Sequence, residues 1–429
     1  MFRLFALYRS NDVSMRLFDM VGCLSSAMDL VSPEVAGHHL RVGSIASRLA
    51  EVAGLPGREC ADLALAGMLH DIGAFSLKGR IDALAFESDD QTHPEIGYRL
   101  LRAYPEFARA ADMVRSHHCL WSKTGQRPPV LTPELELGNL LCLADRVDTL
   151  LPRTPEKAFD RDVLLKKIRS VSGRMFNPWW VEALETLAGR DGFLEKTASG
   201  SASRECLDIP DEHNPALSGR EVSRLARLFS QVIDFRCRFT ATHSRGVAAT
   251  TMILARELHL GGDDRDCLEV ASELHDLGKL GVPAEIIMKP AALDQAEMAT
   301  MQRHAEHGYH ALSGPIGLAG VAKLVVEHHE RLDGKGYPYG RHASQISLPS
   351  RVLAVSDVFT ALGEDRPYRS GMEITRIVSI LEDQADRFIL DPDVVSLISA
   401  RRHDLDAARR HAQAQALADF DRFTSGIAP

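Results

Sequence analysis

Histidine and aspartate residues recur in the same order at two places along this chain of 429 residues. In each place a His stands 32 residues before a His-Asp pair, and another His stands 24 residues before a His-His doublet. A further Asp follows the doublet after 27 or 28 residues. The first set is His38, His70, Asp71, His93, His117, His118 and Asp145, and the second set is His243, His275, Asp276, His304, His328, His329 and Asp357. The matching order and spacing indicate a duplicated functional module.

The side chains in these sets are typical metal ligands. Imidazole nitrogens together with carboxylate oxygens suit iron, manganese, nickel or zinc. Each set offers seven donors, which is more than a single ion usually takes. We therefore predict two divalent ions a few ångströms apart, with one Asp able to bridge them. A pair of ions generates a nucleophile from water and neutralises phosphate charge, so it suits hydrolysis of a phosphodiester.

Several helices must converge to bring these donors together, because each set spans more than 100 residues. Apolar residues recur at three- and four-residue steps, which is typical of amphipathic helices. The clearest examples lie at 41–52, 61–69, 321–326 and 374–381, and Gly and Pro fall between them. We predict an all-α fold, with ligands projecting inward from helix faces and irregular loops near 73–79 and 334–340.

The repeat distance of about 210 residues indicates duplicated domains, because solenoid repeats are much shorter, roughly 20 to 50 residues. Residues 197–218 are rich in Ser, Gly, Pro and Asp, a composition typical of a linker. We predict a first domain at 1–190, a linker at 191–218, a second domain at 219–400 and a helical tail at 401–429.

The bulk composition excludes some partners. A net charge of −9 and a pI of about 6.1 argue against binding to polymeric nucleic acid, which favours basic surfaces. No segment has the apolar length of a membrane span or a signal peptide. The seven cysteines are scattered, without a C-x-x-C pair, which fits a reducing compartment. We therefore predict a cytoplasmic protein without a membrane partner.

Residues 219–400 resemble the HD-GYP family of phosphodiesterases, a branch of the HD superfamily of metal-dependent phosphohydrolases. The resemblance rests on HDLGK at 275–279, HHERLDGKGYP at 328–338 and DRPYR at 365–369, in register with His243, His304 and Asp357. The long string that contains GYP is the most specific of these motifs. The resemblance implies an enzyme that hydrolyses cyclic di-GMP to linear pGpG, which family members often hydrolyse further to GMP.

The resemblance also implies roles for individual residues. The second set would ligate two metals, iron first and manganese, nickel or zinc as alternatives, with Asp276 as the bridge. Lys279 would hold a phosphate oxygen or the leaving group, and Tyr337 would contact a base or a phosphate. Arg366 and Arg369 would contact phosphate and guanine. Some family members hold a third metal through a Glu four residues before the first His, a position that is Phe239 here.

The first domain resembles a divergent HD domain. This domain keeps the ligand types, and Glu34 stands four residues before His38. The first set of donors, together with Glu34, is therefore a candidate for a second metal site. Ala74 replaces the counterpart of Lys279, and no GYP string follows its doublet. Two hypotheses remain for this domain. It is either a regulatory or structural partner packed against the second domain, or a second hydrolase with another substrate.

Three alternatives to cyclic di-GMP hydrolysis stay open for the chain. The first is hydrolysis of 3′,3′-cyclic GMP-AMP. The second is a receptor that binds a cyclic dinucleotide with little turnover. The third is another HD-type hydrolysis, of a nucleotide or a phosphomonoester, against which the GYP string argues. A homodimer is also compatible with the sequence.

Overall fold

The computed structural model describes residues 15–31, 36–74, 92–122, 133–152, 159–190, 192–199, 207, 209–235, 241–365 and 370–425. Within these ranges the regular structure consists of α-helices and short 3₁₀ helices, and β-type pairing occurs only at isolated bridges. The prediction of an all-α fold is confirmed.

The described chain divides into two compact units. The N-terminal unit contains the described residues between Leu24 and Pro215, together with Ser425. The C-terminal unit contains those between Ala216 and Thr424, together with residues 15–23. Helix α1 (Leu17–Met28) contains this point of division. The domain limits at 190 and 219 stay predictions.

The N-terminal unit is a bundle of helices around an aliphatic core. Its helices are α2 (His38–Val52), α3 (Gly57–Leu69), α4 (Thr92–Arg102), α5 (Ala108–Ser116), α6 (Pro133–Leu150), α7 (Arg161–Arg169), α8 (Pro178–Ala188) and α9 (Phe193–Ala198). Helices α2, α3 and α6 pack together and bury side chains such as Ile45, Leu65 and Leu141. Burial of a side chain of this size stabilises the fold by about 1.5–3 kcal/mol.

The C-terminal unit repeats this construction with additional helices. They are α10 (Gly219–Asp234), α11 (His243–Glu257), α12 (Gly262–Leu274), α13 (Ala284–Ile287), α14 (Gln295–Gln302), α15 (His304–Leu312), α16 (Ala319–Glu327), α17 (Leu348–Leu362), α18 (Ile374–Asp386), α19 (Pro392–Ala400) and α20 (Arg402–Thr424). Helix α11 contacts α12, α17 and α20, so it lies at the centre of the unit. Val247, Leu268 and Phe359 are among the buried side chains there.

Local sequence signals explain where several helices begin. Ser218 and Glu221 form a capping box at the start of α10, in which each side chain accepts a hydrogen bond from the other residue's backbone N–H. Asp391 caps α19 through its side chain, and Pro392 occupies the first helical position. The four segments predicted from periodicity lie in α2, α3, α16 and α18.

A glycine lets the turn after each His-Asp pair approach the helix that follows. A Cβ at Gly278 would lie 1.9 Å from the carbonyl oxygen of His304, and a Cβ at Gly73 would lie 2.2 Å from that of His93. Real side chains do not tolerate these distances. Only glycine therefore permits the contact that brings each pair beside the next His.

No helix in the described part of the chain combines the length and the apolarity needed to span a bilayer.

Candidate metal centres

Helix ends carry most of the donor side chains. His243 and His304 are the first residues of α11 and α15, whereas His275 and His328 directly follow α12 and α16. Asp357 lies on the buried face of α17. The first set is placed in the same way: His38 begins α2, His70 follows α3, His93 lies in the first turn of α4, His117 follows α5 and Asp145 lies within α6. Residues far apart in sequence thus meet where helix ends converge.

The C-terminal centre, which is the second set of donors, contains two groups. In the first group His243 Nε2 lies 3.1 Å from Asp357 Oδ1. His275 Nε2 lies 3.5 Å from Asp276 Oδ2. The second group comprises His304, His328 and His329, whose ligand atoms lie within 4.8 Å of one another. Within it, the Nε2 atoms of His304 and His328 are 3.3 Å apart.

Asp276 lies between the two groups. Its Oδ2 atom faces the first group, at 3.8 Å from His243 Nε2 and 3.5 Å from His275 Nε2. Its Oδ1 atom faces the second group, at 3.5 Å from His304 Nε2. Burial opposes ionisation of this carboxyl, but Lys279, with a contribution from His243, outweighs it and holds the pKa of Asp276 well below its usual range. A carboxylate whose two oxygens face separate sets of nitrogens has the geometry of a bridging ligand.

The imidazoles of the second group are neutral at pH 7. Burial, together with neighbouring His329, lowers the pKa of His304 to about 3, and burial lowers the pKa of His329 to about 4. Burial also lowers the pKa of His275 and His328. At His243 burial acts in the same direction, but Glu364 and Asp357 overcome it and raise the pKa to about 10. The neutral imidazoles retain the lone pair that a metal requires, whereas His243 must release a proton before it can bind a metal.

The second ring nitrogen of each ligand fixes its orientation. His275, His304 and His328 each donate from Nδ1 to the backbone carbonyl three residues earlier, at 3.0, 2.6 and 2.5 Å. His243 instead donates from Nδ1 to Glu364 Oε2, at 3.0 Å. In all four residues Nε2 is therefore the nitrogen directed at the centre, as in known metal sites with an outer hydrogen-bond partner.

Lys279 and Tyr337 border the C-terminal centre. Lys279 Nζ donates to Asp276 Oδ2 at 2.6 Å. The Tyr337 ring lies 4.7 Å from the His329 ring, and burial raises the pKa of its phenol, which stays protonated. A Cβ at Gly336 would lie 2.4–2.6 Å from the backbone of residues 329–331, so glycine allows the GYP loop to close on the doublet. Both side chains therefore lie beside donor residues of the centre.

The N-terminal centre, which is the first set of donors, repeats this geometry. Asp71 Oδ2 lies 3.4 Å from His70 Nε2 and 4.0 Å from His38 Nε2. Asp71 Oδ1 lies 3.3 Å from His93 Nε2. Asp145 Oδ1 lies 3.6 Å from His38 Nε2. Asp71 therefore occupies the place that Asp276 has in the C-terminal centre.

Arg146 distinguishes the N-terminal centre. It follows Asp145, whereas Val358 follows the equivalent Asp in the other unit. One terminal nitrogen of the fully buried guanidinium lies 3.1 Å from Asp145 Oδ2 and 3.4 Å from His118 Nδ1. Burial and neighbouring charges lower the pKa of His118 to about 4. The N-terminal centre thus holds a permanent cation beside its second carboxylate.

Both centres fit metal ions on the evidence of their own atoms. The Nε2 atoms of His275, His38 and His70 are buried and make no hydrogen bond to any described residue. Asp145 Oδ1 is in the same situation. An unsatisfied buried polar atom costs about 1–3 kcal/mol. A divalent cation would satisfy these atoms together, because they face common points.

Four residues singled out from the sequence lie outside the described residues. They are Glu34, Phe239, Arg366 and Arg369. The proposed contacts of the two arginines and the metal-binding candidate Glu34 therefore stay predictions.

Two carboxylates that orient ligands were not predicted from the sequence. Asp148 accepts a hydrogen bond from His38 Nδ1 at 2.7 Å and another from Arg41 Nε at 2.6 Å. Glu364 does the same for His243. For Asp148 the signal was helical spacing, because it stands three residues after Asp145 in α6 and thus near the same helical face. Glu364 lies two residues beyond the end of α17, so helical spacing gave no signal for it.

Comparison with known proteins defines the class first. The family model described as HD domain matches residues 35–150, and a second HD-domain model matches residues 227–394. The chain is therefore a tandem HD-domain protein. A solved structure of a cyclic GMP-AMP-specific phosphodiesterase from V. cholerae, V-cGAP3, shares the fold with a TM-score of 0.62 and 24% identity, over 94% of this chain and 98% of that one.

Curated relatives then define the family. The 3'3'-cGAMP-specific phosphodiesterase 1 of Vibrio cholerae serotype O1 is 30% identical over 88% of this chain and 89% of its own length. Phosphodiesterase 3 of the same name and organism is 36% identical over 61% of this chain and 57% of its own length. The cyclic di-GMP phosphodiesterase response regulator RpfG of Xanthomonas campestris is 34% identical over 44% of this chain and 50% of its own length. The chain belongs to the HD-GYP family and is a metal-dependent phosphodiesterase.

Proposed function

We propose that the C-terminal centre binds two divalent metal ions and hydrolyses a phosphodiester bond of a cyclic dinucleotide. The observation that carries the proposal is the position of Asp276, whose two oxygens face two groups of imidazole nitrogens. When bound, the two ions would supply Lewis acidity toward water and phosphate. Iron is our first expectation, with manganese, nickel or zinc as alternatives, because imidazole and carboxylate suit all four.

The ligands divide between the two ions according to the geometry. One ion would take His243, His275, Asp276 and Asp357, and the other would take Asp276, His304, His328 and His329. Their fixed Nδ1 hydrogen bonds hold the rings in place before substrate arrives. Such preorganisation avoids the cost of reorienting ligands during the reaction.

Three kinds of side chain would act on the substrate itself. The Lys279 ammonium, 2.6 Å from the bridging carboxylate, would hold a phosphate oxygen or stabilise the leaving group. The half-buried, protonated Tyr337 would donate a hydrogen bond to phosphate or stack on a base. Arg366 and Arg369 are predicted to contact phosphate and guanine through bidentate guanidinium groups.

The substrate that we favour is 3′,3′-cyclic GMP-AMP. The relative that aligns with 88% of this chain, and so with both units, is named for that dinucleotide. The Xanthomonas relative, which is named for cyclic di-GMP, aligns with 44%. The motifs of the second domain resemble those of cyclic di-GMP phosphodiesterases, so cyclic di-GMP is the competing substrate in any test.

The decisive experiment is purification of the chain without oxygen, followed by metal analysis and incubation with each dinucleotide. Chromatography should reveal a linear dinucleotide as the first product, with faster consumption of cyclic GMP-AMP. Asp276→Ala should lose metal and turnover together, because the bridging position serves both ions. Asp266→Ala, which changes an exposed carboxylate on α12, is the matched control and should behave like the wild type.

Two results would contradict the proposal. One is a chain that holds no metal at the C-terminal centre. The other is a chain that leaves both dinucleotides intact with Fe(II) or Mn(II) supplied. Tight binding of a dinucleotide without cleavage would identify a receptor instead.

For the N-terminal unit we propose metal binding with a regulatory or structural role. Its donors repeat the arrangement of the C-terminal centre, but Ala74 stands in place of Lys279 and its doublet lacks a GYP string. The buried Arg146 also supplies a positive charge beside Asp145. Hydrolysis of another substrate is the competing hypothesis, which turnover of an Asp276→Ala chain on a nucleotide panel would support.

A further inference from the structure

His243 depends on a side chain from elsewhere for its orientation. It is the first residue of α11, so its own helix offers no carbonyl three residues earlier. Its Nδ1 instead donates to Glu364 Oε2 at 3.0 Å, on the side of the ring away from Nε2 and the centre. Glu364 is 5% exposed, so this hydrogen bond is shielded from water.

The C-terminal helix holds Glu364 in turn. Gln413 Nε2 donates to Glu364 Oε1 at 2.6 Å. Arg409, which is also buried, donates to Gln413 Oε1 at 2.7 Å and to Asp406 Oδ1 at 2.6 Å. The amide of Gln413 therefore has a donor at one end and an acceptor at the other, which fixes its orientation. A continuous series of hydrogen bonds joins α20 to a ligand of the metal centre.

Apolar contacts anchor α20 in this position. It packs against α11, and its residues Leu405 and Ala416 are buried. The rings of Phe420 and Phe423 lie 5.3 and 5.1 Å from the ring of Phe235, at the end of α10. The helix is thus part of the C-terminal unit, and the series of hydrogen bonds starts from a fixed base.

The N-terminal unit meets the same need with a different residue. There Asp148, three residues after Asp145, accepts from His38 Nδ1 at 2.7 Å. The equivalent position in the C-terminal unit, three residues after Asp357, is the buried Thr360. In the C-terminal unit the carboxylate is that of Glu364, four residues after Thr360, where Gln413 of α20 contacts it.

We propose that Glu364 is the positioning residue of His243, and that α20 belongs to the metal centre through Gln413 and Arg409. The inference rests on the proposed metal-dependent function. Loss of Glu364 leaves the ring of His243 without its outer partner, so the first ion is held less tightly while the second group keeps its backbone-fixed ligands. Outer partners of this kind typically change metal affinity roughly 10- to 100-fold.

The test compares full-length variants for Mn(II) affinity. Glu364→Ala should weaken binding of one Mn(II) by roughly 10- to 100-fold, and Gln413→Ala should weaken the same ion by less. Metal content after dialysis against graded chelator gives the affinity, and the Mn(II) concentration at half-maximal hydrolysis reports the catalytic centre separately. Gln415→Ala, an exposed change on α20, is the matched control.

A second-site substitution separates positioning from general damage to the fold. Adding Thr360→Asp to Glu364→Ala places a carboxylate where the N-terminal unit has Asp148, and it should restore Mn(II) affinity. Wild-type Mn(II) affinity in Glu364→Ala would overturn this inference but not the proposed function. The same holds if Thr360→Asp, in a folded chain, fails to restore the affinity that Glu364→Ala lost. A wild-type chain without Mn(II) at the C-terminal centre would overturn the proposed function as well.

Discussion

The ligand histidines use two kinds of outer partner for Nδ1, a nearby backbone carbonyl or a distant carboxylate. His275 and His328 follow helices, so a helix carbonyl three residues earlier accepts the Nδ1 proton. His304 begins a helix and still uses the carbonyl of Met301, at the end of the preceding helix. His38 and His243 also begin helices, and each uses a carboxylate instead, at 2.7 and 3.0 Å. The carbonyl partners are local, whereas the carboxylate partners of His38 and His243 stand 110 and 121 residues away along the chain.

Lys279 is predicted to act on the substrate rather than on the metals. Its ammonium donates to Asp276, and its side chain is 23% exposed, so it can reach a ligand at the centre. Lys279→Met keeps most of the stem and removes the charge. We expect kcat to fall by roughly 10²- to 10³-fold, as for loss of a transition-state donor, with the metal content kept.

Steady-state kinetics and metal analysis on the same preparation check this prediction. Lys289→Met, which removes a lysine paired with Glu297 on the surface, is the control and should leave both quantities unchanged. A Lys279→Met chain that loses its metal would assign the residue to metal retention instead.

Arg146 is predicted to stabilise the metal-free N-terminal centre. Its guanidinium neutralises Asp145 in a site without exposure to solvent. Arg146→Met leaves that carboxylate buried without its cation, which costs about 3–5 kcal/mol. We expect a lower urea midpoint in the presence of chelator, and a smaller loss when Mn(II) is present, because the ion neutralises the same carboxylate.

Arg48→Met is the control for Arg146. Arg48 forms an exposed ion pair with Glu51, and such pairs contribute only about 0–1 kcal/mol. An Arg146→Met chain as stable in chelator as the Arg48→Met chain would show that the buried charge is dispensable.

At the level of elements, the sequence predicted the helices better than their mutual contacts. Apolar periodicity located α2, α3, α16 and α18, and the spacing of His and Asp identified donors that the structure brings together. The Glu364–Gln413 contact could not be predicted, because it joins α20 to residues 49 positions earlier. Arg146 was visible beside Asp145, but neighbouring helical positions usually face different directions, so only packing reveals that both are buried.

The turn after His275-Asp276 is predicted to require a glycine at position 278. Gly278→Ala introduces a Cβ 1.9 Å from the carbonyl oxygen of His304, so the turn and α15 must separate. We expect weaker metal binding, since His304 moves away from Asp276, and a loss of stability of roughly 1–3 kcal/mol, as for overpacking elsewhere. Metal titration and thermal unfolding measure the two effects.

Gly262→Ala is the matched control, because its Cβ would meet no atom within 4 Å. It lies at the start of α12, the same helix that leads to His275. Equal metal affinity in the two glycine variants would show that the close approach at Gly278 does not position the ligands.

At the scale of the whole molecule, the two units share the arrangement of ligands and differ in the groups around it. Asp71 and Asp276 each face two sets of nitrogens. The basic side chain beside the donors is Lys279, at Asp276, in one unit and Arg146, at Asp145, in the other. Lys279 is partly exposed and Arg146 is fully buried, so the two units differ in the basic group that they present around the donors.

Metal removal should therefore destabilise the chain through two separate centres. An ion present at about 100 times its Kd stabilises the folded state by about 2.7 kcal/mol. For units of this size, that corresponds to roughly 5–10 °C in Tm. We expect chelator to lower the Tm of the wild type by such an amount. Asp71→Ala should retain only the C-terminal part of the shift, and Asp276→Ala only the N-terminal part.

Calorimetry with and without chelator, combined with metal analysis, separates the two contributions. The double variant should hold no tightly bound ion, and its unfolding should not respond to chelator, because each Asp is the residue that both donor groups of its centre share. If the two centres are independent, the losses of chelator-sensitive Tm in the two single variants should add up to the loss in the double variant, because sites without shared partners are usually additive. A chelator effect that persists in the double variant would mean that the stabilising ions bind outside both centres. That result would contradict the assignment of both centres.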